Sequence, residues 1–270
     1  MKSKLRSTAR QLRRRRKTLL GTYDAEALHQ LRINIRRLRG YLERDPREEA
    51  RQLRRAWKKL VQETNDARDW DTFRAWLEVP EFSADYALLL PLIESYQTAA
   101  HERVMHMLES PAWSSALETW ESFLDHSGAK LSAGPAPKVR SLSRKFLRAQ
   151  DKALESGGVR DWHKLRIATK NLRYALDELH SGGSHSADGA AKARKLCKRL
   201  QTDLGNWHDT VIHGGLLQTL LSQESCSAGA EEAILRLVAH LSREGQCHLQ
   251  YAVDRILRHG KHIRKLASAG

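Results

Sequence analysis

The chain has 270 residues, with 47 Lys and Arg against 32 Asp and Glu, and a formal net charge of +15. That length can bury a sizeable core, as one domain of two halves or as two domains. The charge favours a polyanionic partner without naming it, so ribosomal contacts, nucleic acid, anionic lipid and polyphosphate all fit on this ground alone. Cys197, Cys226 and Cys247 have no metal-ligand spacing, and their odd number argues against a closed disulfide framework, so a reducing compartment is expected. No apolar run reaches the roughly 20 residues that span a bilayer. No apolar signal core follows the basic N-terminus, so the expectation is a cytoplasmic protein without a membrane partner.

Residues 1–23 lack any acidic side chain and carry Arg6, Arg10, Arg13, Arg14, Arg15, Arg16 and Lys17. Such a stretch is commonly a disordered arm. Leu5, Ala9, Leu12, Leu19 and Leu20, however, form a thin apolar seam that predicts a helix. Residues 28–41, LHQLRINIRRLRGY, place His29, Arg32, Arg36 and Arg39 in one row of a helix. Leu28, Leu31, Ile35, Leu38 and Leu42 share a neighbouring apolar face. Past Pro46, residues 47–64 read as a helix with Leu53, Trp57 and Leu60 inward. Asp69 and Asp71 then precede the run TFRAWL, where capping of the next helix is the ordinary role. Helices are expected over 84–108 and 111–124, the second opened by Pro111. A linker at 127–137 would separate an N-terminal half, 1–126, from a C-terminal half, 138–270.

The second half repeats the first. Residues 138–154 resemble the N-terminal basic helix, with Arg144 and Arg148 at the places of Arg10 and Arg14. Residues 162–174, WHKLRIATKNLRY, set His163, Arg166, Lys170 and Arg173 over the earlier row, 134 residues on. Asn171 departs from the pattern, standing where Arg37 predicts a basic residue. At a shift of 140, residues 194–203 lie over 54–63 with basic on basic at four positions, and Asp209 lies over Asp69. A longer loop at 181–189 accounts for the change of shift. Helix continues through residues 216–221, a loop follows at 222–229, and one or two helices close the chain over 230–266. Nothing alternates with period two over a useful length, so the expected fold is all-α, and a repeat this long reads as duplication of a structural unit.

Two basic stretches that each open with a histidine closely resemble the CHAD domain (conserved histidine α-helical domain), over nearly the whole chain. The resemblance implies two four-helix bundles related by a pseudo-twofold axis, and inorganic polyphosphate bound in a basic groove between them. It also implies a non-enzymatic binding module, found at polyphosphate granules. On this reading Arg32, Arg36, Arg37, Arg39, Arg166, Lys170 and Arg173 hold phosphate, with His29 and His163 assisting. Arg10, Arg14, Arg54, Lys58, Arg144, Arg148, Lys195 and Lys198 extend the rim.

The residues themselves bear on that reading. The motifs contain no acidic partner at i+4, so their charges are not neutralised within their own helices. Guanidinium forks suit phosphate oxygens, and either histidine could donate a hydrogen bond to phosphate, better when protonated. No HExxH motif or cysteine cluster suggests a metal, and no cofactor fingerprint is present. Glu63, Asp66, Asp69 and Asp71 invite a metal-dependent phosphohydrolase, but no Walker loop or nucleophile elbow accompanies them, and no catalytic residue is assigned. Nucleic acid is the stronger competitor, as a weaker polyanionic partner. Single-strand binders stack bases on aromatics along a basic track, and here Tyr41 and Tyr174 lie only beyond the row ends.

Overall fold

The computed structural model describes residues 2–126, 139–181, 188–223 and 226–268. The linker expected at 127–137 and most of the loop at 181–189 lie outside them. Eleven α-helices and one short 3-10 turn account for almost all of the described residues, and no β-strand occurs among them. The all-α expectation therefore holds. The chain divides into two compact units, Met1–Pro135 with Gln223–Ala233, and Ala136–Ser222 with Ile234–Gly270.

The first unit contains α1 (Lys2–Gly21), α2 (Ala25–Leu42), α3 (Glu48–Gln62), α4 (Asn65–Leu77), α5 (Ser83–Glu109) and α6 (Pro111–His126). Helices α1, α2, α3 and α6 pack in a closed ring, each against the next, while α4 lies on α2 and α5, and α5 on α1 and α6. The seam read from the first 23 residues is buried: Leu5, Ala9, Leu12 and Leu19 are each under 5 % exposed. Burial of such side chains contributes roughly 1.5–3 kcal/mol per large residue, which is why the basic arm is a helix. Asp24 caps α2, accepting from Ala27 N at 2.8 Å and Glu26 N at 3.3 Å. The predicted face Leu28, Leu31, Ile35, Leu38 and Leu42 is fully buried. Trp57 and Trp113 meet edge to face at 5.3 Å across the ring.

The second unit contains α7 (Val139–Ser156), α8 (Val159–Ser181), α9 (Asp188–Leu221), the greater part of α10 (Ala228–His259) and α11 (Lys261–Ser268). Helices α7, α8, α9 and α11 form a closed ring in the same chain order. Its core gathers Phe146, Trp162, Leu165, Leu172, Leu196, Leu200, Trp207 and Ile256. Gly157, at φ 61°, ends α7 and donates to Ala153 O at 3.0 Å, a left-handed cap that favours glycine.

Two details differ from the sequence reading. Glu63 and Thr64 break α3 from α4, whereas α9 runs unbroken through Asp203 and Leu204, the positions aligned with that break. Asp69 and Asp71 are no caps: both lie within α4, and Asp71 is buried. Tyr23 Oη donates to Asp71 at 2.6 Å, Gln97 Nε2 donates at 3.3 Å, and His101 Nε2 lies at 3.0 Å. Tyr23 also stacks on His101, with ring centroids 3.5 Å apart. Asp71 thus ties the entrance of α2 to α4 and α5. Burial and the carboxylate together push the Tyr23 hydroxyl far above its ordinary pKa.

Candidate cationic helix faces

In the first unit, α2 carries the row His29, Arg32, Arg36, Arg39 on the side of α3 and α4. The four are not alike. Arg32 is built into the fold: its Nη1 donates to Val61 O at 3.3 Å, to Asn65 Oδ1 at 3.0 Å and to Thr64 Oγ1. Thr64 Oγ1 in turn donates to Val61 O at 2.7 Å, so Arg32 fastens the α3–α4 break to α2. Burial lowers the Arg32 pKa, with Asp69 opposing that shift. Arg36 and Arg37 are exposed and engage no hydrogen bond or ion pair among the described residues. Arg39 is half-buried, and its pKa is lowered by burial and then by Arg54. The Nε atoms of Arg39 and Arg54 are both buried without an acceptor. Arg54 pairs with Glu43 at 2.9 Å, and Lys58, one turn further along the same side of α3, is exposed.

The second unit places His163, Arg166, Lys170 and Arg173 along α8. Arg173 lies over the Tyr174 ring at 4.9 Å and 3.6 Å from Asp177. That carboxylate is at i+4, just past the motif on the same helix, so this charge, unlike the sequence expectation, is countered within α8. Arg194 of α9 reaches the same carboxylate at 3.7 Å. Lys198, one turn on, is exposed.

Both motif histidines have lowered pKa values. For His29 the causes are burial and then Arg68; for His163 they are burial and then Arg166 and Lys170. At neutral pH they are therefore uncharged, able to donate one hydrogen bond each but adding no positive charge. Two flanking residues were not in the sequence-derived set. Arg68 of α4 stands by His29, and His208 of α9 packs its ring 4.9 Å from that of His163. His208 is pushed down to about 4 by burial and the nearby Arg166, His163 and Lys170. The shift of 140 aligns Arg68 with His208, so the alignment carried a signal for both.

The remaining rim candidates fall on other sides of their rings. Arg10 lines a cavity with Glu121 and Asp125 on α6, beside the ion pairs Arg6–Asp125 (2.7 Å) and Arg13–Glu121 (2.5 Å). Arg14 is exposed on α1. Arg144 and Arg140 both donate through Nε to Ala267 O at 3.3 Å, holding the last turn of α11, and Arg148 is exposed beside them. Lys195 lines a pocket against α10 and α11. The structure therefore brings together the α2 row with Arg54, Lys58 and Arg68. It likewise groups the α8 row with Arg194 and His208. Arg10, Arg144 and Lys195 face other neighbours. No group of potential metal ligands occurs among the described residues, and no described helix is long and apolar enough to cross a membrane.

An all-α chain of two helical units, each presenting a histidine-led cationic helix, is the class of protein that fold and site define. The CHAD domain family matches residues 3–218, and the chain belongs to that family. The fold is similar to that of the CHAD domain from the plant Ricinus communis, known from its crystal structure. The TM-score is 0.70 at 24 % identity, over 93 % of this chain and 88 % of that one. No curated protein matches the sequence.

Proposed function

We propose that this chain binds inorganic polyphosphate, without turning it over, on the cationic faces of α2 and α8. The observation that carries the reading is the state of Arg36 and Arg37: two exposed guanidinium groups with no hydrogen bond or ion pair among the described residues, Arg36 one helical turn from both Arg32 and Arg39. Like charges this close are mutually unfavourable, and a polyanion relieves them. Family membership supports the same reading. Arg166, Lys170 and Arg173 would hold phosphate on α8, with neutral His29 and His163 donating hydrogen bonds. Such a protein would work in the cytoplasm, at polyphosphate granules.

Single-stranded nucleic acid is the second reading, and one observation favours it. Tyr41 and Tyr174, 36 % and 40 % exposed, end the two rows and offer ring faces to a base. The test is competition at fixed salt: labelled long-chain polyphosphate challenged with single-stranded DNA and RNA. Polyphosphate should resist displacement at equal phosphate concentration, and Tyr41→Ala with Tyr174→Ala should leave its affinity unchanged. Equal displacement per phosphate would replace the selective reading with general polyanion binding.

A further inference from the structure

A carboxylate stands where α9 faces α8, and another where it faces α10. Arg194 meets Asp177 at 3.7 Å, and Asp203 takes Arg255 Nε at 2.5 Å. The side toward α11 is different. Lys192, Lys195 and Arg199 line a cavity of about 280 Å³ whose other walls are His259, the last residue of α10, and His262 of α11, with buried Leu196 as its floor. Among the described residues no carboxylate lines it, and Lys195, Arg199, His259 and His262 have no hydrogen-bond or ion-pair partner there. The positive field is strong enough that Lys192, Lys261, His259 and Lys265 all act to lower the His262 pKa, after burial.

The wall is rigidly placed. Gly260 turns α10 into α11, and a Cβ there would lie 2.6 Å from Ile256 O, so only glycine fits without a shift. Its N–H donates to Ile256 O at 2.8 Å, and Ile263 N closes the next turn on Gly260 O at 3.0 Å. Ile263 is fully buried, and Ala267 O is held by Arg140 and Arg144. His259 and His262 therefore flank a fixed corner. The described lining offers ammonium and guanidinium donors and two imidazoles, but no carboxylate, hydroxyl or amide oxygen to receive a ligand's own donors. It suits a ligand made of acceptors. The volume lies just under the range of drug-sized sites, and no indole or phenyl ring lines it, which disfavours a nucleobase.

We propose that Lys195, Arg199, His259 and His262, with Lys192 at the rim, form a separate site for a compact oligophosphate. Its ligand is a run of two or three phosphoryl groups, as in pyrophosphate or triphosphate. This site lies on the α11 side of α9, away from the α8 row, and does not depend on long-chain binding there. Such a run exists free in solution and also as a stretch of a longer chain.

The test titrates triphosphate into the full-length protein by calorimetry at fixed ionic strength, with melting recorded for every variant. The pair Lys195→Ala/Arg199→Ala, both exposed, should fold normally and lose about tenfold or more in triphosphate affinity, because two charged donors are gone. The pair Arg36→Ala/Lys170→Ala should retain it. If the pocket pair loses only triphosphate, the site takes free short chains; if long polyphosphate weakens too, the site holds a stretch of the long chain, and either result supports it. No triphosphate binding by the unmutated protein would overturn the site. So would a loss seen equally, or only, in the Arg36/Lys170 pair. Long-chain affinity of the Arg36/Lys170 pair, measured alongside, judges the α2 and α8 faces independently.

Discussion

Arg54 of α3 reaches Glu43, the residue that closes α2, at 2.9 Å. Arg194 of α9 reaches Asp177 of α8 at 3.7 Å. The two carboxylates are 134 residues apart and the two arginines 140, the same shifts that align the motif histidines and the basic runs. Each pair sets a carboxylate at the end of a cationic row. Exposed pairs of this kind contribute between zero and about 1 kcal/mol to stability. Their larger effect is on the field that a phosphate chain meets.

Removing those carboxylates should therefore tighten binding. Glu43→Ala and Asp177→Ala are each expected to raise polyphosphate affinity severalfold at low salt, with the gain shrinking as salt screens it. Thermal melting should move by no more than a few degrees. Unchanged or weaker binding in both variants would remove the rows from the binding surface.

Acid should weaken the fold through the depressed histidines. His208 and His213 sit at about 4 in the folded protein, against about 6.5 when unfolded. Between those values the unfolded chain binds protons that the folded chain does not. The stability these groups contribute is thus complete above about pH 6.5 and is lost as pH falls toward 4, by at most about 1.4 kcal/mol per pH unit per group. Denaturant unfolding at several pH values across that window should show the decline, and His208→Gln should flatten it. A parallel decline in the variant would mean that His208 is solvated.

The rows and helices were legible because their information is local. Arg32, Arg36 and Arg39 recur at helical spacing, and Leu31, Ile35 and Leu38 mark the opposite requirement, burial. The two shifts contained more than the basic runs: Arg194, aligned with Arg54, lies on the α8 side, whereas Lys195, its neighbour, turns toward α11. One residue on a helix is a rotation of about 100°, so a run of adjacent cations does not say which one faces the partner helix. Asp71 looks like a cap in the sequence because its partners Tyr23, Gln97 and His101 lie 26 to 48 positions away. Only tertiary packing brings them together, and no spacing rule points to that.

The Asp71 cluster also separates structure from catalysis. Asp71→Ala strips an acceptor from Tyr23, Gln97 and His101, and should cost about 3 kcal/mol or more. Polyphosphate incubated with magnesium or manganese and the unmutated protein should keep its chain length by phosphorus NMR. Metal-dependent release of orthophosphate, abolished by Asp69→Ala, would make this chain an enzyme.

Arg32 and Arg36 are one turn apart on α2, and their replacement should have opposite signatures. Arg32→Ala removes a half-buried cation that holds Val61 O, Thr64 Oγ1 and Asn65 Oδ1. Each orphaned group costs roughly 1–3 kcal/mol if it stays buried, so melting should fall clearly and the α3–α4 break should exchange amide hydrogens faster. Arg36→Ala removes an exposed side chain with no partner among the described residues, so stability should move by under about 0.5 kcal/mol. Polyphosphate affinity should behave the other way, dropping in Arg36→Ala under conditions where both variants remain folded. Arg103→Ala, outside the motifs and paired with Asp66 at 3.1 Å, is the reference for a surface arginine. A polyphosphate titration of Arg36→Ala that overlays that of Arg103→Ala would return the α2 face to an ordinary solvated surface. A melting collapse in Arg36→Ala would instead make it a fold residue like Arg32.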